Sequence, residues 1–279
     1  MQIKSQIDKF AGYKYVLAMK LIFATIISAL GLGICFQADA QDKTNAHEAV
    51  FLVSNPQTAR WSYIETDNNG KQIATIYYSV ESIEGNAVNG NLKLRVEEVP
   101  FASPKDTTRS FNFYCFKDGE FMVDICSGLE DNLFEGQLDS KIRNNINESH
   151  PELSEEKKRE LFKEVRSQFF KISGETHGIP RYPKVGKLPD YEFYCKVSII
   201  SMRVRGEERN IIGKESIQTE AGMFDCFIME ETITTKSMMM KDVERIRSWY
   251  AYGIGLVKEM TYDKNGKLIS TMILNKVNW

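Results

Sequence analysis

Five short turn signals cut this sequence into strand-length pieces, and their spacing constrains the fold more than any other feature. They are Asp67-Asn68-Asn69-Gly70, Asn89-Gly90, Asp118-Gly119, Glu220-Ala221-Gly222 and Asp263-Lys264-Asn265-Gly266. Asn and Gly tolerate the positive φ that tight hairpin turns need. The runs beside these turns are rich in aromatic and β-branched residues, as in Arg60–Thr66, Gln72–Ile83 and Met223–Thr235. In Asn91–Val99, Leu92, Leu94 and Val96 alternate with Lys93, Arg95 and Glu97. That period of two predicts a strand with one buried and one wet face. Thr108–Phe116 alternates through Phe111 and Phe113, and Phe121, Val123 and Ile125 follow the next turn.

The pattern changes between Ser127 and about Glu175, where the chain is charged and poor in strand signals. Ser154 predicts a helix N-cap, with Glu155 and Glu156 in the first turn, where the helix dipole favours negative charge. Leu161, Phe162, Val165 and Phe169 share a face at helical spacing, and Gly174 is the expected stop. This segment reads as an insertion between two β halves, or as a helix that plugs or covers a sheet.

Strand signals return at Tyr191, where Phe193, Cys195, Val197 and Ile199 fall on one face. Arg209–Thr219, Met223–Thr235 and Val243–Trp249 follow, the second with Phe224, Cys226 and Ile228 on one face and Met238–Met240 at its far end. Tyr252-Gly253-Ile254-Gly255 is a tight bend leading into the closing hairpin, Leu256–Tyr262 and Lys267–Leu274. About ten strands in consecutive hairpins predict a mainly β protein, an antiparallel meander forming a curled sheet or β-barrel with one helical insertion at about 127–175.

The first forty residues have a different character. Lys14 and Lys20 precede the unbroken apolar and small-residue run Leu21–Phe36, and Ala38-Asp39-Ala40 supplies small residues for cleavage. This order predicts a signal peptide over 1–40 and a single β-rich domain over 41–279, periplasmic or envelope-associated after cleavage near Ala40. The run falls short of the roughly 18 residues that cross a bilayer. Leu32-Gly33-Ile34-Cys35 approximates a lipoprotein box, but Ile34 stands where a small residue is required. Loss of residues 1–40 takes the formal charge from -2 to -4, which gives no long-range attraction to nucleic acid. It leaves four cysteines, Cys115, Cys126, Cys195 and Cys226, in a compartment where disulfides persist. Cys195 and Cys226, both in strands with apolar neighbours, are the expected disulfide. A two-residue turn at Asp118-Gly119 would instead set Cys115 opposite Met122 and Cys126 opposite Phe111.

Catalytic chemistry finds no support in the motifs. His47, His150 and His177 match no metal spacing, and no nucleophile elbow, phosphate loop or dinucleotide fingerprint is present. Met238-Met239-Met240 has no Cys or His beside it to complete a soft-metal site, and Asp225-Cys226 reads as core rather than as a nucleophile. No catalytic residue, cofactor or metal is therefore expected.

Four phrases carry a family resemblance: Val185-Gly186-Lys187-Leu188-Pro189-Asp190, Glu220-Ala221-Gly222-Met223-Phe224-Asp225-Cys226, Trp249-Tyr250 through Gly253-Ile254-Gly255-Leu256-Val257-Lys258, and Tyr262-Asp263-Lys264-Asn265-Gly266-Lys267-Leu268. Together they resemble the domain-of-unknown-function 3108-like family, also called TapB-like, of exported Bacteroidota proteins. Trp61, Asn69-Gly70-Lys71 and Asp118-Gly119 extend the likeness into the first half. Met223, where the family more often has Thr, and the charged insertion depart from it. The resemblance implies a β-barrel-like fold in the cell envelope and no particular activity. The expected role is a non-catalytic binding module for an apolar ligand, such as a lipid or lipid-bearing partner. The competing expectation is a structural or assembly component acting through contacts with another envelope protein.

Overall fold

The structure is a computed structural model, and it describes residues 59–85, 89–118, 120–124, 127–128, 131, 138–175, 178–180, 182–197, 200–237 and 240–278. The signal-peptide expectation over 1–40 lies outside these residues. No helix among the described residues is long and apolar enough to cross a membrane.

The first half is a meander of β1 (Arg60–Asp67), β2 (Gln72–Gly85), β3 (Gly90–Pro100), β4 (Thr108–Lys117) and β5 (Glu120–Val123). Two helices follow, α1 (Leu138–Ser149) and α2 (Glu155–Phe169), and then β6 (Phe170–Glu175). The second half contains β7 (Gly186–Lys187), β8 (Tyr191–Val197), β9 (Ile200–Thr219), β10 (Gly222–Ser237), β11 (Lys241–Ala251), β12 (Gly255–Asp263) and β13 (Leu268–Asn278). All join one 13-stranded sheet in the order β5-β4-β3-β2-β1-β13-β12-β11-β10-β9-β8-β6, with β7 beside β9. The pairings are antiparallel.

The sheet curls without closing into a barrel. Its two halves are joined in the middle, where β1 pairs with β13. At the far side β5 does not pair with β6. Among the described residues a bridge between Phe121 and Ile179, with both N–H···O distances at 2.9 Å, spans the gap instead.

Two turns show how local sequence sets the register. Asp67 Oδ1 accepts from the N–H groups of Asn69 and Lys71, each at 2.9 Å. Asp263 Oδ1 accepts from Asn265 at 2.8 Å and Lys267 at 2.9 Å. The two Asp-x-Asn-Gly-Lys turns have the same geometry, with Gly70 and Gly266 at φ of 78° and 79°. A side-chain oxygen that mimics a backbone acceptor makes this turn local.

Ser154 caps α2 as expected, its Oγ accepting from the Lys157 N–H at 3.4 Å. The helix ends at Phe169, not at Gly174, because Phe170 adopts extended φ and ψ and begins β6 against β8. Gly174 lies inside that strand. Leu161, Phe162, Val165 and Phe169 pack with Ile142 and Ile146 of α1 against Phe193, Val204, Ile233 and Ile246. The helix pair thus covers part of the inner face of β8–β11. The larger part of the core, from Trp61 and Tyr63 through Leu94 and Tyr114 to Phe227 and Leu274, lines the inner face of β1–β5, β12 and β13 and the neighbouring parts of β9–β11.

Strand β4 departs from its expected phase. Asn112, Tyr114 and Phe116 are the buried residues, while Phe111 and Phe113 are half-buried on the other face. There Lys93 sits over their rings at 4.0 and 5.1 Å.

Candidate functional site

The inner face of the sheet is apolar in most places, but strand alternation also delivers polar side chains onto it. In β12, Glu259 stands opposite Met272 of β13, which stands opposite Glu65 of β1. In β3, Glu98 stands opposite Ile76 of β2, itself opposite Tyr63. Tyr78 belongs to the same face, stacked on Trp61 at 5.7 Å and edge-on to Tyr63 at 5.6 Å. Asn112 of β4 donates from Nδ2 to the Tyr114 hydroxyl at 3.3 Å. Glu259 accepts from Ser248 Oγ at 3.2 Å.

Two atoms of this cluster are left over. The hydroxyl of Tyr78 and Oδ1 of Asn112 are buried with no hydrogen-bond partner among the described residues. Tyr78 is 2% exposed and Asn112 1%. An unmet buried polar group costs roughly 1–3 kcal/mol, so native cores hold few of them.

The carboxyl groups differ in how far they share this burial: Glu259 is buried, Glu65 half-buried and Glu98 exposed. Glu259 is held well above the ordinary carboxyl range, first by burial and then by the neighbouring Glu231, Glu65 and Glu244, with the Ser248 hydrogen bond opposing. Burial raises Glu65, with Glu98 adding to it and Ser270 opposing. Burial, then Asp242, pushes Glu244 up to about 7. The phenols of Tyr78 and Tyr250 rise for the same first reason, and Glu259 raises both further.

A second buried polar site lies nearby and is built differently. Arg209 is 2% exposed, the largest of the fully buried side chains. Its Nε donates to Glu231 Oε2 at 3.0 Å, Nη1 to the Pro189 carbonyl at 2.7 Å and Nη2 to the Gly178 carbonyl at 3.1 Å. The guanidinium also lies over the Tyr191 ring at 5.0 Å. A bulge makes this possible. Glu230 pairs with Asn210 and Thr232 with Glu207, so Glu208 and Arg209 together oppose Glu231. Glu208 takes φ of 56°, and the bulge turns Arg209 inward. Gly178 donates to Glu120 Oε1 at 2.7 Å, beside the Phe121–Ile179 bridge. Arg209 therefore fixes the point where the first edge of the sheet meets the second half.

An open cleft of about 770 Å³ lies by this bulge, between Lys187, Glu208, Arg245, Arg247 and Tyr262. Most of its lining residues are charged, and Arg247 is paired with Glu230.

The structure does not bring the expected Cys195 and Cys226 together. Cys195 of β8 stands opposite Met202 of β9, and Met202 opposite Ser237 of β10. Cys226 stands opposite Glu215 near the other end of β10. It is a free thiol, pushed up to about 12 by burial, then by Asp225 and Glu215. A disulfide needs Cα atoms within about 7 Å, which strands in this register do not supply. Cys115 does stand opposite Met122, while Cys126 lies outside the described residues. His150 sits 3.6 Å from Glu152, and His47, His177, Met238 and Met239 lie outside the described residues. Among the described residues no group of three or more His, Cys, Asp or Glu is placed to hold a metal ion.

Motif reading missed both polar sites, because their members come from strands scattered along the chain. One signal was present. Glu231 sits in phase between Met229 and Ile233, a charge at a core-facing position of an alternating strand. Asn112 in the aromatic run of β4 is a second such break.

A single antiparallel sheet that curls without closing, with polar side chains set on its inner face, defines the class of fold. Residues 182–274, from just before β7 into β13, match the DUF3108-like family model. The family resemblance read from the closing motifs holds over that stretch. No curated protein matches the chain. Among solved structures, a protein described as a lipoprotein from Parabacteroides distasonis superposes with a TM-score of 0.53 at 18% identity, covering 83% of this chain and 99% of that one. A protein described as exported, with a YmcC-like fold, from Bacteroides fragilis gives a TM-score of 0.53 at 14% identity, covering 82% and 99%. At these identities the likeness shows the fold.

Proposed function

We propose that the protein is a non-catalytic binding module of the cell envelope whose curled sheet receives an apolar ligand or a lipid-bearing partner on its inner face. One observation supports this reading above the others. The inner face is a wall of aromatic and aliphatic side chains, including Trp61, Tyr63, Leu94 and Phe227, into which the open hydrogen-bonding atoms of Tyr78 and Asn112 are set. Binding sites for small molecules have this composition, a mostly apolar lining with a few polar groups that fix orientation. A core that serves packing alone pairs its polar atoms.

Export belongs to the same reading. The basic, apolar and small-residue order of residues 14–40 supports it, as do the descriptions of the two similar structures as a lipoprotein and an exported protein. N-terminal sequencing of the protein from its envelope fraction should begin at Gln41. A start at Met1 or Met19 overturns export with cleavage, and a lipid-modified Cys35 replaces the Ala40 site.

Native mass spectrometry of protein purified gently from its own envelope tests the ligand. The expected result is a lipid-sized mass lost on organic extraction. A bare polypeptide mass, with no fluorescence response to an added apolar probe, overturns the reading in favour of an assembly component acting through its surface.

A further inference from the structure

On the outer face of the second half, strand register gathers cations at one end. Lys171 of β6 stands directly opposite Lys196 of β8. In the next row Arg203 of β9 stands opposite Lys236 of β10, which stands opposite Lys241 of β11. Arg205 follows two residues after Arg203, opposite Glu192 and Thr234. These positions alternate with Cys195, Met202 and Val204, which pack in the core beneath the helices, so the cations share the outward face. Lys171, Arg203, Lys236 and Lys241 are exposed. Among the described residues the acid paired with this group is Glu192, which stands opposite Glu175 and bonds Arg205, with Arg203 at 3.6 Å. Like charges directly opposite one another destabilise a sheet. The whole chain has a formal charge of -2, so this excess of cations is local. At the turn joining β10 to β11 the Ser237 N–H donates to the Met240 carbonyl at 2.8 Å. Met240, the last of three consecutive methionines in the sequence, is 49% exposed there, between Lys236 and Lys241.

We propose that this end of the outer face docks the protein on an anionic phospholipid surface, with Met240 entering the interface and the row Arg203, Lys236 and Lys241 lying against the lipid phosphates. The inference goes beyond the ligand reading and does not depend on it. Neighbouring strands lie about 4.8 Å apart, so a cross-strand row sets its cations side by side against a plane of phosphates. Each cation near such a surface adds a modest attraction, and a row sums several. Interfacial attachment joins that attraction to the burial of an apolar side chain among the headgroups, which is the pairing of Met240 with its flanking lysines. A soluble acidic partner would use the cations but has no need of an exposed apolar tip set among them. Because the chain as a whole is negative, attraction to anions is confined to this end and fixes how the protein would sit.

Flotation of the full exported protein with vesicles tests this, comparing pure phosphatidylcholine with a mixture of phosphatidylcholine and phosphatidylglycerol at low and high salt. Binding at low salt is expected to be at least about tenfold tighter on the anionic vesicles and to fall sharply at high salt, where the charges are screened. Lys236→Gln/Lys241→Gln should lose about tenfold on the anionic vesicles, and should melt no lower than wild type because both side chains face like charge. Lys264→Gln/Lys267→Gln makes the same charge change in the exposed β12–β13 turn and should alter binding by less than about threefold. Met240→Ser should weaken binding about fivefold without changing its salt dependence. No preference for the anionic vesicles overturns the inference. So does equal loss in the two double variants, which would mean that binding follows net charge rather than this face. Capture by soluble polyglutamate with no vesicle binding assigns the row to an acidic partner and overturns the membrane reading.

Discussion

Two buried glutamates on the inner face of one sheet are treated in opposite ways. Glu231 is answered: Arg209 pairs with it at 3.0 Å and ties the pair to the carbonyls of Pro189 and Gly178. Glu259 is left with Ser248 and with other carboxyls for company. The first arrangement has what a structural site requires, since every strong group has a fixed partner. The second leaves a carboxyl with no counter-ion, which burial pushes toward its neutral acid and which Ser248 alone hydrogen-bonds. The contrast also falls on different parts of the architecture. Arg209 sits where the open side of the sheet is bridged, whereas Glu259 and Glu65 lie on strands flanking the β1–β13 junction between the two halves.

The comparison breaks most sharply at Arg209. Arg209→Ala strands Glu231 as a buried charge with no counter-ion and should cost about 3–5 kcal/mol, read as a lower urea midpoint. The double variant Arg209→Met/Glu231→Leu should recover much of that loss; if it is no better than Arg209→Ala, the damage lies in the lost backbone contacts rather than in the bare charge. A smaller effect is expected at Gly206. A Cβ there runs into the Tyr191 ring on which the Arg209 guanidinium rests. Gly206→Ala should therefore cost about 1–3 kcal/mol as an overpacked core position, measured by thermal melting.

Glu259→Gln should match wild type to within about 1 kcal/mol at low pH, where Glu259 is protonated both folded and unfolded, and should be the more stable of the two near neutral pH, where wild type must hold a proton that the unfolded chain releases. Its mark should be on the pH profile. Glu259 holds its proton more tightly folded than unfolded, so its contribution is complete below the ordinary value of 4.5 and is lost as pH rises toward its higher folded value. Wild type should lose stability as pH rises above about 5, and Glu259→Gln should flatten that slope. Glu244, pushed up to about 7 chiefly by burial, should supply a residual slope that fades above its own value. A profile unchanged by Glu259→Gln would remove the distinction between the two glutamates. The smallest effect is chemical. Cys226, buried and with a raised thiol pKa, should resist alkylation in the native protein and react once unfolded without reductant. Its failure to react after unfolding would mean that it is bonded to another cysteine.

Much of the fold was written locally. The Asp-x-Asn-Gly-Lys turns, the alternation of Leu92, Leu94 and Val96, and the Ser154 cap are properties of a few consecutive residues, and each appears in the structure where its sequence places it. Local signals failed where two elements compete for the same residues. Phe170 could continue α2, but pairing with Val197 draws it into β6. In β4 both faces carry aromatic residues, so the pattern could not say that Asn112, Tyr114 and Phe116 turn inward.

By itself, then, the sequence determined an antiparallel, turn-punctuated sheet with a helical insertion, because turns, caps and period-two alternation need only near neighbours. The polar sites were decided by tertiary structure. Strand phase is reset at bulges, and the bulge at Glu208 and Arg209 points the arginine at a glutamate 22 residues away. The curl of the sheet then gathers Glu65, Tyr78, Asn112 and Glu259 onto one face from four strands. No short-range pattern encodes that meeting, because it depends on how far the whole sheet bends and on its two edges being held together without closing.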